Sequence, residues 1–348
     1  MRSVKRVYDN IRTDEHIATI IKLASKGKTK RTDVKWALDN IESCTKEIRW
    51  MLETGCFWQK PSHSKTIIEK GKKRVLTVSP FFPNRILDYL VVEALKPHIK
   101  KGMYEYCVGN VDKRGTLSGK KTIERNYQKY KYYIKLDIRQ FYPSVKNKLL
   151  IEFLERKIKD RCFLALCKFV IGDKDGLPIG AYFSQWFSNW YLEGLDHYIK
   201  EVLHVPFYVR YVDDMLLMGN NKKLLKRAMY NIAKFLNELG LELKEKAQVK
   251  EHDLIPIDFL GFRFSKGKTK LRLRNFKRLN LRVKRIRRKG HISYKQAAAL
   301  ISYVAWLKYV PGGYMYYTRK VKPYARRGEI RRVIADRAKA GQDPVLLY

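Results

Sequence analysis

Acidic residues are scarce in this chain: 34 Asp and Glu stand against 74 Lys and Arg, a formal net charge of +40 in 348 residues. Such an excess works against compaction unless a polyanion neutralises it, and nucleic-acid phosphate is the leading source of that charge. Long apolar runs are also missing. None approaches the ~20 residues a helix needs to span a bilayer, so an anionic membrane is the weaker candidate partner. The N-terminal segment MRSVKRVYDNIR has no apolar core of the kind a signal peptide carries, and none is expected here. Cysteine is sparse and unpatterned: residues 44, 56, 107, 162 and 167 are odd in number and form no Cys-x-x-Cys pair. That points to a reducing cytoplasm and away from structural zinc or a disulfide framework. The seven histidines form no His-x-x-x-His pair. No internal repeat or low-complexity linker interrupts the chain, so its parts are expected to pack as one body. Apolar residues, at 45%, are plentiful enough for a folded protein rather than a disordered polycation.

Periodicity places the elements. Ile17, Ile20, Ile21 and Ala24, then Val34, Ala37, Leu38 and Ile41, fall at helical spacing around a basic break at 25–33. Residues 65–80 read as a hairpin around a cationic Gly71-Lys72-Lys73 tip, and 84–99 as a helix closed off near Pro97. Residues 132–137 form a buried-type strand ending on a carboxylate. Leu224, Leu225, Met229, Ile232, Leu236 and Leu239 predict a helix over 222–239, with Gly240 suited to its C-terminal cap. Residues 258–264 read as one further strand.

The charge concentrates at the end of the chain. From Ser265 to Tyr348 there are 24 Lys and Arg against three acids. Leu279, Val283 and Ile286 keep helical spacing among them, and Arg274, Lys277, Arg278, Arg282, Lys284, Arg285 and Arg288 are the candidate nucleic-acid contacts. Tyr303, Trp306, Tyr309, Tyr314, Tyr316 and Tyr317 follow closely. Cations beside aromatic platforms suit nucleic-acid backbones and bases. A solvated helix face would account for the cations alone.

Residues 211–214, Tyr-Val-Asp-Asp, set two adjacent carboxylates into the apolar flanks Phe207–Val209 and Met215–Leu217. Asp-Asp is ordinary turn chemistry. Within a buried hairpin, however, paired carboxylates lose solvation that a divalent cation restores. Two further islands join them. Lys135–Ser144 is a strand ending on Asp137, with Phe141 and Tyr142 just beyond. Gly176–Gln185 is a glycine-containing loop leading into a helix. Two-metal phosphoryl transfer needs carboxylates from different strands to converge. Asp137, Asp213 and Asp214 could supply them if their strands are neighbours.

These islands, in this order, resemble catalytic motifs A, B and C of bacterial reverse transcriptases. Residues 241–246 resemble motif D, 259–264 the strand that follows it, and 72–95 and 106–116 the fingers segments. The resemblance implies an α+β right-hand polymerase with an antiparallel palm sheet: fingers with a helical N-terminal extension over 1–130, palm over 131–264, and a helical basic thumb and tail over 265–348. It implies an RNA-directed DNA polymerase working with two Mg2+ ions, for which Mn2+ can substitute. Asp137, Asp213 and Asp214 would hold the metals, with the Ile138 carbonyl completing a shell. Tyr142 stands where the family places an aromatic against the incoming sugar, a steric gate against a 2′-hydroxyl. Lys72, Lys73 and Arg74 could hold the triphosphate. Arg85, a cation at a helix N-terminus, calls for a template or nucleotide phosphate. Lys246 is a candidate near the pyrophosphate, although its motif register is off by one residue.

The second island narrows the resemblance. Where most reverse transcriptases have Gln-Gly and Ser-Pro, this chain has Ile179-Gly180 and Ser184-Gln185. That pattern resembles the enzymes of diversity-generating retroelements. It implies a cDNA copy of a template-repeat RNA with frequent errors opposite adenine, an RNA–cDNA hybrid, dNTP substrates and a small basic accessory variability protein, itself oligomeric. It also implies a cytoplasmic enzyme in a bacterial host. An amide side chain can fix the nascent base pair, whereas Ile179 offers only contact area. The alternatives are a reverse transcriptase of a phage-defence or retron-like system, although no Asn-Ala-x-x-His or Val-Thr-Gly string is present, and a non-catalytic RNA-binding scaffold.

Overall fold

The computed structural model describes residues 4–69, 72–244 and 247–339, with the side chains of 69, 72 and 337–339 left aside. Four strands make the central sheet, in the order β4 (Phe207–Tyr211), β5 (Asp214–Gly219), β3 (Tyr132–Asp137) and β6 (Lys250–Glu251), all antiparallel. Alternate residues of a strand face opposite sides. Here both sides are buried: Tyr208, Met215 and Leu217 face one core, and Phe207, Val209, Leu216 and Met218 face another. A sheet covered on both faces needs the unbroken apolar run that the sequence has there.

The first core is built by N-terminal helices Asp14–Ser25, Thr32–Asp39 and Ile41–Thr54, together with Ile86–Gly102 and Tyr182–Tyr191. The first buries Ile17, Ile20, Ile21 and Ala24 and the second Val34 and Ala37, as helical spacing predicts, whereas Leu38 is only half-buried and Ile41, also half-buried, begins the third helix. The second core lies between the sheet, a three-stranded antiparallel sheet and the C-terminal helices. That smaller sheet comprises β7 (Ile257–Phe259), β8 (Phe262–Ser265) and β9 (Lys268–Leu271). A separate hairpin pairs β1 (His63–Glu69) with β2 (Lys72–Val78). No described helix is long and apolar enough to cross a membrane.

Three expectations need correction. Residues 258–264 are not one strand: Leu260 (φ 52°) and Gly261 (φ 83°) form a tight turn joining β7 to β8. Two successive positive φ values match a primed hairpin turn, in which the twist of the flanking strands is preserved. The helix expected to close near Pro97 runs on to Gly102 with Pro97 inside it. Its buried face, through Leu95 to Ile99, outweighs the one hydrogen bond that proline removes. Finally, Lys72 and Lys73 are not a turn tip but the first residues of β2, register partners of Glu69 and Ile68.

Candidate active site

Antiparallel pairing brings Asp137 and Asp214 together as register partners at the ends of β3 and β5. Tyr211 pairs with Asp214 across the hairpin, which leaves Val212 and Asp213 as a two-residue turn. The three aspartates therefore meet at one edge of the sheet although 75 residues lie between Asp137 and Asp213 in sequence. Burial raises the Asp213 carboxyl to about 6, and the charges of Asp214 and Asp137 push it the same way. Asp214 is raised by burial and then by Asp137, while Lys135, Lys244 and Arg272 oppose the rise. Two half-buried carboxylates that repel each other and a third are a site short of positive charge.

Lys244 supplies part of that charge. Its Nζ sits on Oδ1 of Asp137, and its backbone N–H donates to the Asp137 carbonyl at 2.8 Å. Ile138 and Leu243 form an antiparallel bridge beside it, and the Ile138 N–H donates to the Asp213 carbonyl at 3.3 Å. Among the described residues no three acidic, His or Cys side chains share a metal-ligating arrangement. The donor set nevertheless fits divalent ions: it is all oxygen, as hard cations require, and an ammonium already stands in as a cation on Asp137. Ile138 itself is fully buried.

The loop that precedes the helix Tyr182–Tyr191 is fastened to the β1–β2 hairpin. The Thr77 N–H donates to the Ile179 carbonyl at 2.8 Å. Gly180 has φ 119°, and a Cβ there would lie 2.7 Å from the Thr77 carbonyl oxygen, so no larger residue fits without movement. Ile179 is half-buried, while Gln185 is exposed. Tyr142 is half-buried against Phe141, their ring centroids 5.7 Å apart, and its hydroxyl is engaged by Ser188 and Asn110.

Lys73 and Arg74 are exposed on β2. Lys72 lies on the same strand, and Lys246 falls outside the described residues. Arg85 caps the helix Ile86–Gly102, with its guanidinium carbon 5.5 Å from the centroid of the Tyr89 ring, which stacks on Tyr182 at 4.1 Å. Its Nε is buried without a hydrogen-bond partner.

The C-terminal cations are arranged by the helix Leu273–Lys289. Asn275, Leu279, Val283 and Ile286 face inward. At 100° per residue, Arg274, Lys277, Lys284, Arg285 and Arg288 project from the opposite face, and Arg278 and Arg282 lie at its margins, half-buried.

Sequence reasoning missed Lys244 and the buried group Asn189, Asp196 and Arg210 behind the turn. The signal for Arg210 was visible: it is the one charged residue in Phe207–Tyr211, and a lone charge inside an apolar strand calls for a buried partner.

A family model described as "Reverse transcriptase (RNA-dependent DNA polymerase)" matches residues 59–264. Among characterised proteins, the chain is similar to the retron Ec73 reverse transcriptase of Escherichia coli, 28% identical over 131 residues that cover 33% of this chain and 41% of that protein. Among solved structures it is similar to apo telomerase from Candida tropicalis, with a TM-score of 0.53 at 13% identity, covering 81% of this chain and 61% of that one. The chain thus spans less than two thirds of either relative. At this identity the telomerase likeness is one of fold, that of a right-hand polymerase with fingers, palm and thumb.

Proposed function

The chain belongs to the reverse transcriptase family, and from that premise we propose that it copies an RNA template into DNA, joining deoxynucleotides to a primer 3′ end. One observation carries this reading: Asp137 and Asp214 are register partners, and Asp213 occupies the turn beside them, inside the matched region. Two Mg2+ ions, or Mn2+ in their place, would be held by these aspartates and the Ile138 carbonyl, and would activate the attacking hydroxyl and stabilise the leaving oxygen. The protein groups do the rest. Asp213 and Asp214 hold negative charge at a poorly solvated edge, where cation binding relieves their repulsion. Tyr142 bounds the sugar position. Lys72, Lys73, Arg74 and Arg85 offer positive charge to phosphate from the fingers side, with Lys246 as a further candidate. The solvent face of the helix Leu273–Lys289 tracks the RNA–cDNA hybrid.

Changing both Asp213 and Asp214 to Ala should abolish Mg2+-dependent incorporation of dNTPs on a primed RNA, while RNA binding persists. Equal activity in that variant would remove the assignment.

Within the class we propose the error-prone chemistry of diversity-generating retroelements, with a small basic accessory protein as partner. Ile179-Gly180 and Ser184-Gln185 support it, because Ile179 has no amide with which to fix the nascent pair. The likeness to the retron enzyme favours a second reading, a retron-like or phage-defence reverse transcriptase. Sequencing the cDNA made from a defined RNA separates the two. Errors concentrated opposite adenine support the first, and an even error spectrum the second.

A further inference from the structure

Behind the catalytic turn lies an ion pair with no access to solvent: Arg210 of β4 and Asp196 of the helix Glu193–His197 are each 0% exposed. Arg210 Nε and Nη2 donate to the two Asp196 oxygens at 2.7 and 2.5 Å, and the Tyr208 hydroxyl donates to the same carboxylate at 2.8 Å. Nη1 donates to the Asn189 side-chain oxygen and to the Val212 carbonyl, both at 3.0 Å. A buried pair of this kind adds little net stability over well-packed apolar residues. Its geometric consequence is larger, because one of its arms ends on the turn itself.

Val212 has φ 58°. A β-branched residue in the left-handed region is strained and stays there only where its surroundings over-determine it. Two contacts do so. Arg210 holds the Val212 carbonyl, and Gly109 packs so closely that a Cβ on it would lie 2.5 Å from the Val212 nitrogen. Asn189 joins these contacts. Its oxygen accepts from Arg210, and its Nδ2 donates to the Gly109 carbonyl at 2.7 Å. The residues next to each, Ser188 and Asn110, are the two that engage the Tyr142 hydroxyl.

We propose that Asn189 is a positioning residue that, through Arg210 and Gly109, holds the Val212–Asp213 turn and the Tyr142 hydroxyl in one fixed relation. The same clamp then sets cation binding at the aspartates and discrimination between deoxy- and ribonucleotides. The sugar half of this inference rests on the polymerase reading; the cation half does not.

The test compares four full-length proteins: wild type, Asn189→Ala, Asn189→Ala/Val212→Gly and Tyr142→Phe. Mn2+ binding without nucleotide is followed by electron paramagnetic resonance, and incorporation of dNTPs against rNTPs on a primed RNA is measured alongside. Asn189→Ala should weaken Mn2+ binding about tenfold or more, the range seen when groups supporting metal ligands are removed, and should lower sugar selectivity. Glycine adopts the left-handed conformation without strain, so adding Val212→Gly should restore Mn2+ binding but not sugar selectivity. Tyr142→Phe should change sugar selectivity and leave Mn2+ binding as in the wild type. A folded Asn189→Ala protein with unchanged Mn2+ affinity, or with a loss that Val212→Gly does not repair, overturns the clamp. If circular dichroism shows Asn189→Ala to be unfolded, Arg210→Lys takes its place with the same expected and overturning outcomes. If the variants show the rescue pattern in Mn2+ binding but the wild type never incorporates nucleotide, the polymerase reading and the sugar half are overturned and the cation half of the clamp stands.

Discussion

The ammonium of Lys244 lies on Oδ1 of Asp137, and backbone pairing between the same two residues keeps it there. A cation in that place competes with any metal that Asp137 is to bind. Both side chains are partly exposed, at 42% and 37%, so solvent screens the interaction. Lys244→Met should therefore tighten Mn2+ binding only a few-fold, about 1 kcal/mol or less. Isothermal titration with Mn2+ checks this. Weaker binding in the variant would mean that Lys244 orients the carboxylate rather than competing for it.

Asp88 gives the chain a pH-dependent stability. Its carboxyl is buried and pushed up to about 7 by desolvation, against the pull of Arg85 and a hydrogen bond from the Tyr182 N–H. A carboxylate raised in the folded state adds stability that is fully present below its ordinary value near 4 and is lost as pH rises through about 7. At pH 8 the wild type carries a buried negative charge that asparagine would not. Asp88→Asn should stabilise the protein by roughly 4 kcal/mol at pH 8, by about a third of that at pH 5 and by little at pH 4, read by urea unfolding across that range. Destabilisation at pH 8 would show that Arg85 depends on that charge.

The convergence of Asp137, Asp213 and Asp214 was legible because the sequence sets them at the ends of apolar strands, where no surface role explains them. Arg210 carries the same signal, but its partner was hidden. Asp196 sits in Glu193–His197, a segment whose composition resembles a helix surface, and only tertiary packing turns it inward. Lys244 was missed for a different reason. Motif spacing directed attention to Lys246, whereas the bridge between Ile138 and Leu243 fixes the register that places Lys244 on Asp137. The β7–β8 turn was not read from the sequence: Gly261 alone did not break the strand pattern of 258–264, and nothing local marks Leu260 for a positive φ.

The helix Leu273–Lys289 should bind nucleic acid through one face. Removing Lys277 and Arg285 together, both exposed, should weaken RNA–DNA hybrid binding and flatten the salt dependence, each lost phosphate contact reducing the slope of log K against log salt by up to ~0.9. Arg282, at the margin of that face, should change the slope less when replaced by Ala. Fluorescence anisotropy across a salt series measures both. Equal slopes for wild type and the double variant would place the nucleic acid elsewhere.

Ile179 offers the clearest route from a single side chain to fidelity. Its backbone is fixed from the hairpin side by Thr77, and Gly180 leaves that junction no slack. A substitution at 179 that keeps a similar length therefore changes the side chain without moving the loop. Ile179→Gln adds an amide able to donate and accept beside the nascent pair, and discrimination by hydrogen bonding exceeds what apolar contact area alone provides. Misincorporation opposite template adenine should fall in Ile179→Gln relative to wild type, by about tenfold if the amide reaches the pair, while overall incorporation stays measurable. Gly180→Ala is the contrasting variant: its Cβ meets the Thr77 carbonyl, so activity should drop whatever the template base. Deep sequencing of cDNA from one defined RNA reads both effects. An unchanged error spectrum in Ile179→Gln would transfer control of fidelity from this side chain to the surrounding loop.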